Sequence, residues 1–165
     1  MKRAFAIVIL ALFSAAVTPA QHNSPAPAAS ASSTAGPRLY DPTRDPEQDV
    51  GQAVIQASWS GKRILVQVGG DWCSWCHKLE AFFDADPSLL KLRDNNFILV
   101  KVNFSPENEN AAFLSRYPSI PGYPHIFILA PDGKFLHSED TSLLEQGDTY
   151  SKAKLVDFLT EWSPR

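Results

Sequence analysis

The sequence is poor in cysteine, methionine and clustered positive charge. Its 165 residues include two cysteines, Cys73 and Cys76, and one methionine, Met1. Two cysteines three positions apart cannot join distant segments, which excludes a fold that is held together by disulfide bonds. The 15 lysines and arginines form no runs and are outnumbered by 18 aspartates and glutamates, so we expect no binding to nucleic acid through phosphate neutralisation. The length suits one domain with a hydrophobic core and is too short for two.

Long hydrophobic runs are also missing. The apolar stretch over residues 4–17 is shorter than the roughly 20 residues that a membrane-spanning helix needs. It follows two positive charges and precedes small residues, which is typical of a secretory signal peptide. We predict a signal peptide over residues 1–20, cleaved after Ala20 or, alternatively, after Ala16; a retained membrane anchor is the other interpretation. Export places the protein in the periplasm, where a close pair of thiols is oxidised unless a partner reduces it.

Residues 21–37 consist largely of alanine, serine and proline and contain no large apolar side chain. Such a segment cannot bury enough surface to offset the entropy of ordering it. We therefore predict a disordered linker over residues 21–37 and one folded domain over residues 38–165.

Within that domain the hydrophobic period alternates between helix and strand. Helices are predicted at 46–59, from Trp75 to a stop at Asp86-Pro87, at 105–117 with Ser105 as the cap, and after Ser151, and strands at 64–68, 97–104, 125–130 and 135–137. This order predicts an α/β fold with a central mixed sheet of four to five strands, parallel first and antiparallel at the end. Helices are expected on both faces of the sheet.

Both cysteines lie between a predicted strand and a predicted helix, in the segment Trp72-Cys73-Ser74-Trp75-Cys76-His77. A thiol in the first turn of a helix lies among unpaired N–H groups at the positive end of the helix dipole, which stabilises the thiolate. We predict Cys73 as the exposed nucleophile and Cys76, one turn further, as the more buried resolving thiol. The pair then forms a redox-active disulfide, and no other cofactor is expected.

Two other interpretations of this segment stay open. Cys73, Cys76 and His77 match the CxxCH pattern of covalent haem attachment, with His125 or His137 as the second axial ligand because the mature chain has no methionine. Alternatively, both thiols and a histidine hold Cu(I) or Zn, although no second ligand pair completes a tetrahedral set. Either would make the chain a binding module. His77 itself is either a cation that favours the thiolate or a solvated helix residue.

Three motifs follow one another in an order known from one family: Gly70-Asp71-Trp72-Cys73-Ser74-Trp75-Cys76, Leu99-Val100-Lys101-Val102-Asn103 and Gly122-Tyr123-Pro124. They resemble the thioredoxin-like fold family, in particular exported domains such as the C-terminal domain of DsbD-type interchange proteins. The resemblance implies a thiol-disulfide oxidoreductase and favours a reductase; the residues alone are equally compatible with the reverse direction, oxidation of substrate thiols. It also implies protein thiols and disulfides as partners, with a membrane electron donor of DsbD type. We expect a monomer.

In that family the proline that corresponds to Pro124 is cis and lies against the cysteines. The backbone of the preceding residue pairs there with an extended substrate segment, so the resemblance implies these roles for Pro124 and Tyr123. A proline fits the first position of a strand because it cannot donate to the ladder. The alternative is an ordinary trans loop proline, since Pro118 and Pro121 lie in the same segment.

Two positions depart from the family pattern. Thioredoxin has a buried acid six residues before the first cysteine, where this sequence has Gln67, which cannot titrate. Lys101 matches the lysine opposite that acid and is expected to lack a charged partner; it either carries the proton instead or extends to solvent. Between the cysteines, this chain has Ser74-Trp75 where thioredoxin has Gly-Pro. The Trp75 side chain either covers the site and helps to select a partner, or it belongs to the core. Trp72 is a further supporting residue.

Overall fold

The computed structural model describes residues 38–165, so the predicted signal peptide (1–20) and linker (21–37) lie outside the described residues. The elements, in chain order, are α1 (Pro46–Ser60), β1 (Arg63–Gly69), α2 (Ser74–Ala85), α3 (Pro87–Asn96), β2 (Phe97–Asn103), α4 (Ala111–Leu114), β3 (His125–Leu129), β4 (Phe135–Asp140), a 3₁₀ turn (Thr141–Leu144), β5 (Glu145–Gln146), β6 (Thr149–Tyr150) and α5 (Lys152–Glu161). Among residues 38–165, no helix has the length and apolar character needed to cross a bilayer.

Four strands form the central sheet in the order β2-β1-β3-β4. β1 pairs in parallel with β2, which places Gln67 opposite Lys101, and antiparallel with β3, which places Val68 opposite His125. β3 and β4 are antiparallel neighbours. The predicted mixed sheet is confirmed, and a separate two-stranded ladder of β5 and β6 adds a small second sheet.

Two hydrophobic clusters pack on opposite faces of this sheet, because successive side chains of a strand point in opposite directions. Ile64, Val66 and Val68 of β1 pack with α1 on one face. Leu65 packs on the other face with residues of α2, α3 and α5, among them Leu79, Phe83, Leu89, Leu155 and Leu159. Both faces of β1 are therefore buried, as its continuous apolar run indicates. The prediction of helices on both faces is confirmed.

Helix α3 was not predicted. Asp86-Pro87, which predicts the end of a helix, is also the start of the next one. The Asp86 carboxylate accepts hydrogen bonds from the backbone N–H groups of Ser88 and Leu89, and Pro87 occupies the first turn. Proline at that position sacrifices no helical hydrogen bond. Leu89 anchors α3 in the core at 1% exposure.

The helix predicted over residues 105–117 is wrong for most of its length. Ser105 does not cap a helix; its backbone exchanges both hydrogen bonds with Asn108 in a tight turn. Side-chain amides hold this segment: Asn103 Nδ2 donates to Ser105 Oγ and to the Asn108 carbonyl, and Asn110 Nδ2 donates to the Asn103 carbonyl. Such local bonds compete with the helical pattern. Only α4 remains helical there.

Near the C-terminus, the end of one strand is corrected and one predicted helix start is confirmed. β4 continues to Asp140, three residues beyond the predicted end, because its register with β3 extends to His125 opposite Asp140. The helix predicted after Ser151 is α5, and Ser151 is its N-cap residue, although its side chain makes no capping hydrogen bond. Its backbone N–H instead donates to the Leu144 carbonyl, which ties the helix start to the 3₁₀ turn.

Candidate active site

The two cysteines lie at the start of α2, after the short loop that follows β1. Cys73 is the N-cap residue, and its Sγ accepts a hydrogen bond of 3.1 Å from the backbone N–H of Cys76. A disulfide joins the two residues, whose Cα atoms are 5.2 Å apart. The Cys73 sulfur therefore lies where the first N–H groups of the helix and its dipole stabilise negative charge.

The expectation of an exposed Cys73 is wrong for this disulfide form. Cys73 is 4% exposed and Cys76 is 0% exposed. The two cysteines form a buried cluster with Tyr40, and three partly buried side chains pack against that cluster: Leu39, Trp75 and Tyr123. The sequence could not show this cover because Leu39, Tyr40 and Tyr123 lie far from the cysteines along the chain. Cys76 is the deeper of the two sulfurs, as predicted.

Tyr123 and Trp72 form an aromatic rim beside the disulfide. Their rings meet edge to face with centroids 5.6 Å apart, and Tyr123 also stacks on Phe104 at 4.8 Å. Trp72 Nε1 donates to the Phe104 carbonyl at 2.7 Å, while the Trp72 side chain is 56% exposed. The Tyr123–Pro124 peptide bond is cis, and the Pro124 carbonyl accepts a hydrogen bond from Thr141 Oγ1. Partial burial raises the pKa of Tyr123.

Trp75 both covers the site and belongs to the core. Its ring packs against the cysteine cluster and also against the core on the α2 face of the sheet. Tyr150 meets it edge to face at 5.5 Å, and Lys78 Nζ lies 4.1 Å from the ring centroid. Trp75 thus links the cover of the disulfide to the core.

The expectation that Lys101 lacks a charged partner is wrong. Lys101 Nζ lies 2.8 Å from Glu80 Oε2, and the two side chains are 20% and 24% exposed. The residue opposite Lys101 in the neighbouring strand is Gln67, which carries no charge. The negative charge that pairs with Lys101 comes instead from the Glu80 carboxylate of α2. The Lys101 ammonium is therefore paired with a carboxylate and does not extend freely to solvent.

Gln67 is 1% exposed, and its Nε2 donates a hydrogen bond of 2.7 Å to the Tyr40 hydroxyl oxygen. The Asp71 carboxylate holds the same N-terminal segment through Oδ1, which accepts bonds from the N–H groups of Leu39 at 3.0 Å and Tyr40 at 2.9 Å. His77 Nε2 bonds the Asp71 carbonyl at 2.9 Å, so this exposed histidine also contacts the active-site loop. The loop between β1 and α2 is therefore tied down on both sides.

Sequence reasoning missed three residues of this site, namely Tyr40, Asp71 and Glu80. Asp71 lies inside the motif that located the cysteines, but nothing in that motif shows that it binds a distant backbone. Tyr40 is a lone large aromatic in a proline-rich, charged segment, which is the one signal that could have drawn attention to it. Glu80 lies seven residues after Cys73, two helical turns along α2, and its pairing with a strand residue is a tertiary contact.

The residues needed by the haem and metal interpretations are engaged elsewhere. The sulfurs of Cys73 and Cys76 are bonded to each other in this form. His125 is buried, with Nε2 2.7 Å from Ser138 Oγ, and desolvation lowers its pKa. His137 Nε2 lies 2.7 Å from Glu139 Oε2, and its ring stacks on Trp162. Residues 38–165 contain no cluster of three or more His, Cys, Asp or Glu side chains suited to a metal ion.

The sheet order, the flanking helices and a cysteine pair at the start of α2 define a thioredoxin-type domain. Residues 45–131 match the Thioredoxin-like family, so the chain belongs to that family, and the resemblance seen in the sequence is confirmed. The chain is 27% identical over 75 residues to a protein disulfide-isomerase of Zea mays. That match covers 46% of this chain and 14% of the maize protein, so the chain spans only a small part of that curated relative.

Solved structures share the same fold. A disulphide isomerase from Xylella fastidiosa Temecula1 is 22% identical with a TM-score of 0.67, and the match covers 77% of this chain and 98% of that one. The DsbD C-terminal domain of Neisseria meningitidis in its reduced form is 16% identical with a TM-score of 0.54, covering 72% and 96%. A thioredoxin from Thermus thermophilus is 21% identical with a TM-score of 0.50, covering 67% and 81%.

Proposed function

We propose that this chain is a periplasmic protein-disulfide reductase that works through the Cys73–Cys76 pair. The family and the CxxC pair support thiol-disulfide oxidoreductase activity. The observation that carries the proposal is the disulfide at the N-terminus of α2, where a helix dipole favours the Cys73 thiolate. Tyr123, the residue before Pro124, packs against the same cluster and so lies at the place where a substrate would approach.

The reaction is a pair of thiol-disulfide exchanges. In the reduced protein, the Cys73 thiolate attacks one sulfur of a substrate disulfide, forms a mixed disulfide and releases the first substrate thiolate. The Cys76 thiolate then attacks Cys73 Sγ, which closes the Cys73–Cys76 bond and releases the second substrate thiolate. The substrate gains two electrons and the cysteine pair loses two. A dithiol protein must supply those electrons again, and we infer a membrane donor of DsbD type.

Substrate would bind across the aromatic rim. Tyr123 precedes His125, the first paired residue of β3, so its backbone lies beyond the ladder between β1 and β3. An extended segment of an unfolded or flexible protein can pair with such a backbone by strand addition. Trp72, more than half exposed, offers apolar contact beside it, a use typical of aromatic residues at interfaces. We infer protein substrates rather than small disulfides, and a monomeric enzyme.

The test of this function is a trapping experiment with Cys76→Ser, expressed in a host that exports the protein to its periplasm (the exporting host). Without the resolving thiol, the mixed disulfide on Cys73 cannot be released from within the protein. We expect covalent complexes with host proteins that disappear on addition of reductant and can be identified by mass spectrometry. The matched control is the double variant Cys73→Ser/Cys76→Ser, which should capture none. Absence of complexes from the single variant would contradict the proposal.

We further propose that residues 1–20 are a signal peptide and that residues 21–37 are a linker ahead of a domain over residues 38–165. The apolar stretch after two positive charges supports this assignment. Fractionation of the exporting host should find the protein in the periplasm, and N-terminal sequencing should begin at Gln21, or at Val17 if cleavage follows Ala16. A chain that retains Met1 in the cytoplasmic or membrane fraction would contradict it.

A further inference from the structure

We infer that the Tyr40 hydroxyl donates a hydrogen bond to the Cys76 sulfur once the disulfide opens. This role rests on the proposed function, because Cys76 acquires negative charge only during thiol-disulfide exchange. Thioredoxin has a buried acid at the strand position where this chain has Gln67. In this chain, Tyr40 would be the group that stabilises the thiolate of the resolving cysteine. Tyr40 acts on the sulfur directly and transfers no proton.

The Tyr40 hydroxyl and the Cys76 sulfur face the same small space in front of Gly69. A Cβ atom built on Gly69 would lie 2.5 Å from Cys76 Sγ and 2.8 Å from the Tyr40 hydroxyl oxygen. Tyr40 is 1% exposed and Cys76 is 0% exposed, and both belong to one buried cluster. Inside such a cluster, water does not compete for the sulfur. A negative charge on Cys76 would therefore depend on polar groups of the protein itself.

The hydrogen bond that Tyr40 already makes leaves its own proton available. Gln67 Nε2 donates to the hydroxyl oxygen at 2.7 Å, so the phenolic hydrogen must be directed at a different acceptor. When the disulfide opens, the Cys76 thiolate becomes an acceptor on the adjoining side. Desolvation by burial raises the pKa of Tyr40, and the nearby charge of Glu80 raises it further. The phenol therefore stays protonated and acts as a donor.

The position of Tyr40 is fixed by the active-site loop itself. Asp71 Oδ1 accepts hydrogen bonds from the backbone N–H groups of Leu39 and Tyr40, which clamps the segment before α1 onto the loop that carries Cys73. A donor held in advance loses little entropy when it forms a new bond. Two hydrogen bonds, one from its backbone to Asp71 and one to its hydroxyl from Gln67, thus hold Tyr40 in the cluster that contains Cys76.

The step in which Tyr40 acts can be written for reduction of the resting protein. A thiolate of the donor dithiol attacks Cys73 Sγ, a donor-to-Cys73 disulfide forms, and the Cys73–Cys76 bond breaks with both of its electrons on Cys76. Tyr40 donates to that thiolate. The second donor thiolate then attacks the donor sulfur of the mixed disulfide and releases the Cys73 thiolate. A better stabilised leaving thiolate departs faster.

The test measures the pKa of Cys76 in a Cys73→Ser background, where it is the only thiol. The ¹³C shift of the Cys76 β-carbon, followed against pH, reports its ionisation without any turnover or partner. Adding Tyr40→Phe removes the hydroxyl and keeps the ring. Hydrogen bonds to charged groups are among the stronger ones, so we expect loss of the hydroxyl to raise the pKa of Cys76 by about one unit. At a pH below this pKa, that shift reduces the fraction of Cys76 present as thiolate about tenfold.

The matched control is Tyr150→Phe, which removes the hydroxyl of another buried tyrosine, one that donates to the Trp75 carbonyl. It should leave the pKa of Cys76 unchanged. The other charged or titratable groups near the pair are the same in all three proteins: Asp71, His77, Glu80 and Lys101. A Cys76 pKa that is equal with and without the Tyr40 hydroxyl, in proteins with the same melting temperature, would overturn the inference.

If Tyr40→Phe fails to fold, site-specific replacement of Tyr40 by a fluorinated tyrosine gives the second measurement. Its more acidic hydroxyl is a stronger donor, so the pKa of Cys76 should fall. An unchanged pKa would overturn the inference in this case too. Neither result depends on the trapping experiment, because trapping with Cys76→Ser tests the nucleophile Cys73 and contains no Cys76 thiol. The two proposals can therefore fail separately.

Discussion

Replacing Cys73 with serine is expected to reduce the rate of disulfide exchange to that of the uncatalysed reaction. Serine keeps the N-cap position, but its hydroxyl stays protonated at neutral pH and forms no bond with sulfur. We expect no replacement by Cys76, which lies inside α2, is 0% exposed and does not occupy the N-cap position. The measurement is reduction of a model protein disulfide with dithiothreitol as the electron source. The rate with Cys73→Ser should equal the rate with dithiothreitol alone.

The control for this prediction is Ser74→Ala, which changes the exposed residue between the cysteines and leaves both thiols in place. It should keep a rate close to that of the natural protein. Thermal unfolding should show that Cys73→Ser is folded, with a stability close to that of the reduced natural protein. Exchange by Cys73→Ser above the uncatalysed rate would show that Cys76 can attack a substrate, and would refute the assignment of Cys73 as nucleophile.

Replacing Gly69 with alanine is expected to destabilise the domain by about 2–3 kcal/mol, the upper part of the range for an extra methyl group in a packed core. The added Cβ would lie 2.5 Å from Cys76 Sγ, which no real contact tolerates. Neither neighbour can easily move, since Cys76 is held by the disulfide and the buried Tyr40 by Gln67. The free energy of unfolding in urea measures the effect.

Gly51→Ala provides the matched control, because a Cβ at Gly51 meets nothing within 4 Å. Gly51 lies inside α1, where alanine is the better helix former, so this variant should gain roughly 0.5–1 kcal/mol. The two glycine substitutions are thus expected to have opposite signs. A Gly69→Ala protein as stable as the natural one would show that the space in front of Cys76 is larger than the structure gives.

The buried strands and the amphipathic helices were predictable because their patterns are local. The β-branched run of β1 and the spacing of Ala53 and Ala57 in α1 each show, from a few neighbouring residues, which side chains face the core. The errors in secondary structure were local too. Asp86-Pro87 both ends α2 and begins α3, and the amides of Asn103 and Asn110 replaced a helix that Ser105-Pro106 indicated. Each of these residue pairs is compatible with two local structures, and the hydrogen bonds made by nearby residues determine which one forms.

The alternation of helices and strands and the cysteine pair at a helix start can be predicted from the residues alone, since both depend on residues close together along the chain. The surroundings of the sulfurs depend on tertiary contacts. Tyr40 is held in the cysteine cluster by a clamp to Asp71, and Glu80 of α2 pairs with Lys101 of β2. Burial and the partners of a charge depend on segments distant in sequence, and no local pattern encodes which of them come together.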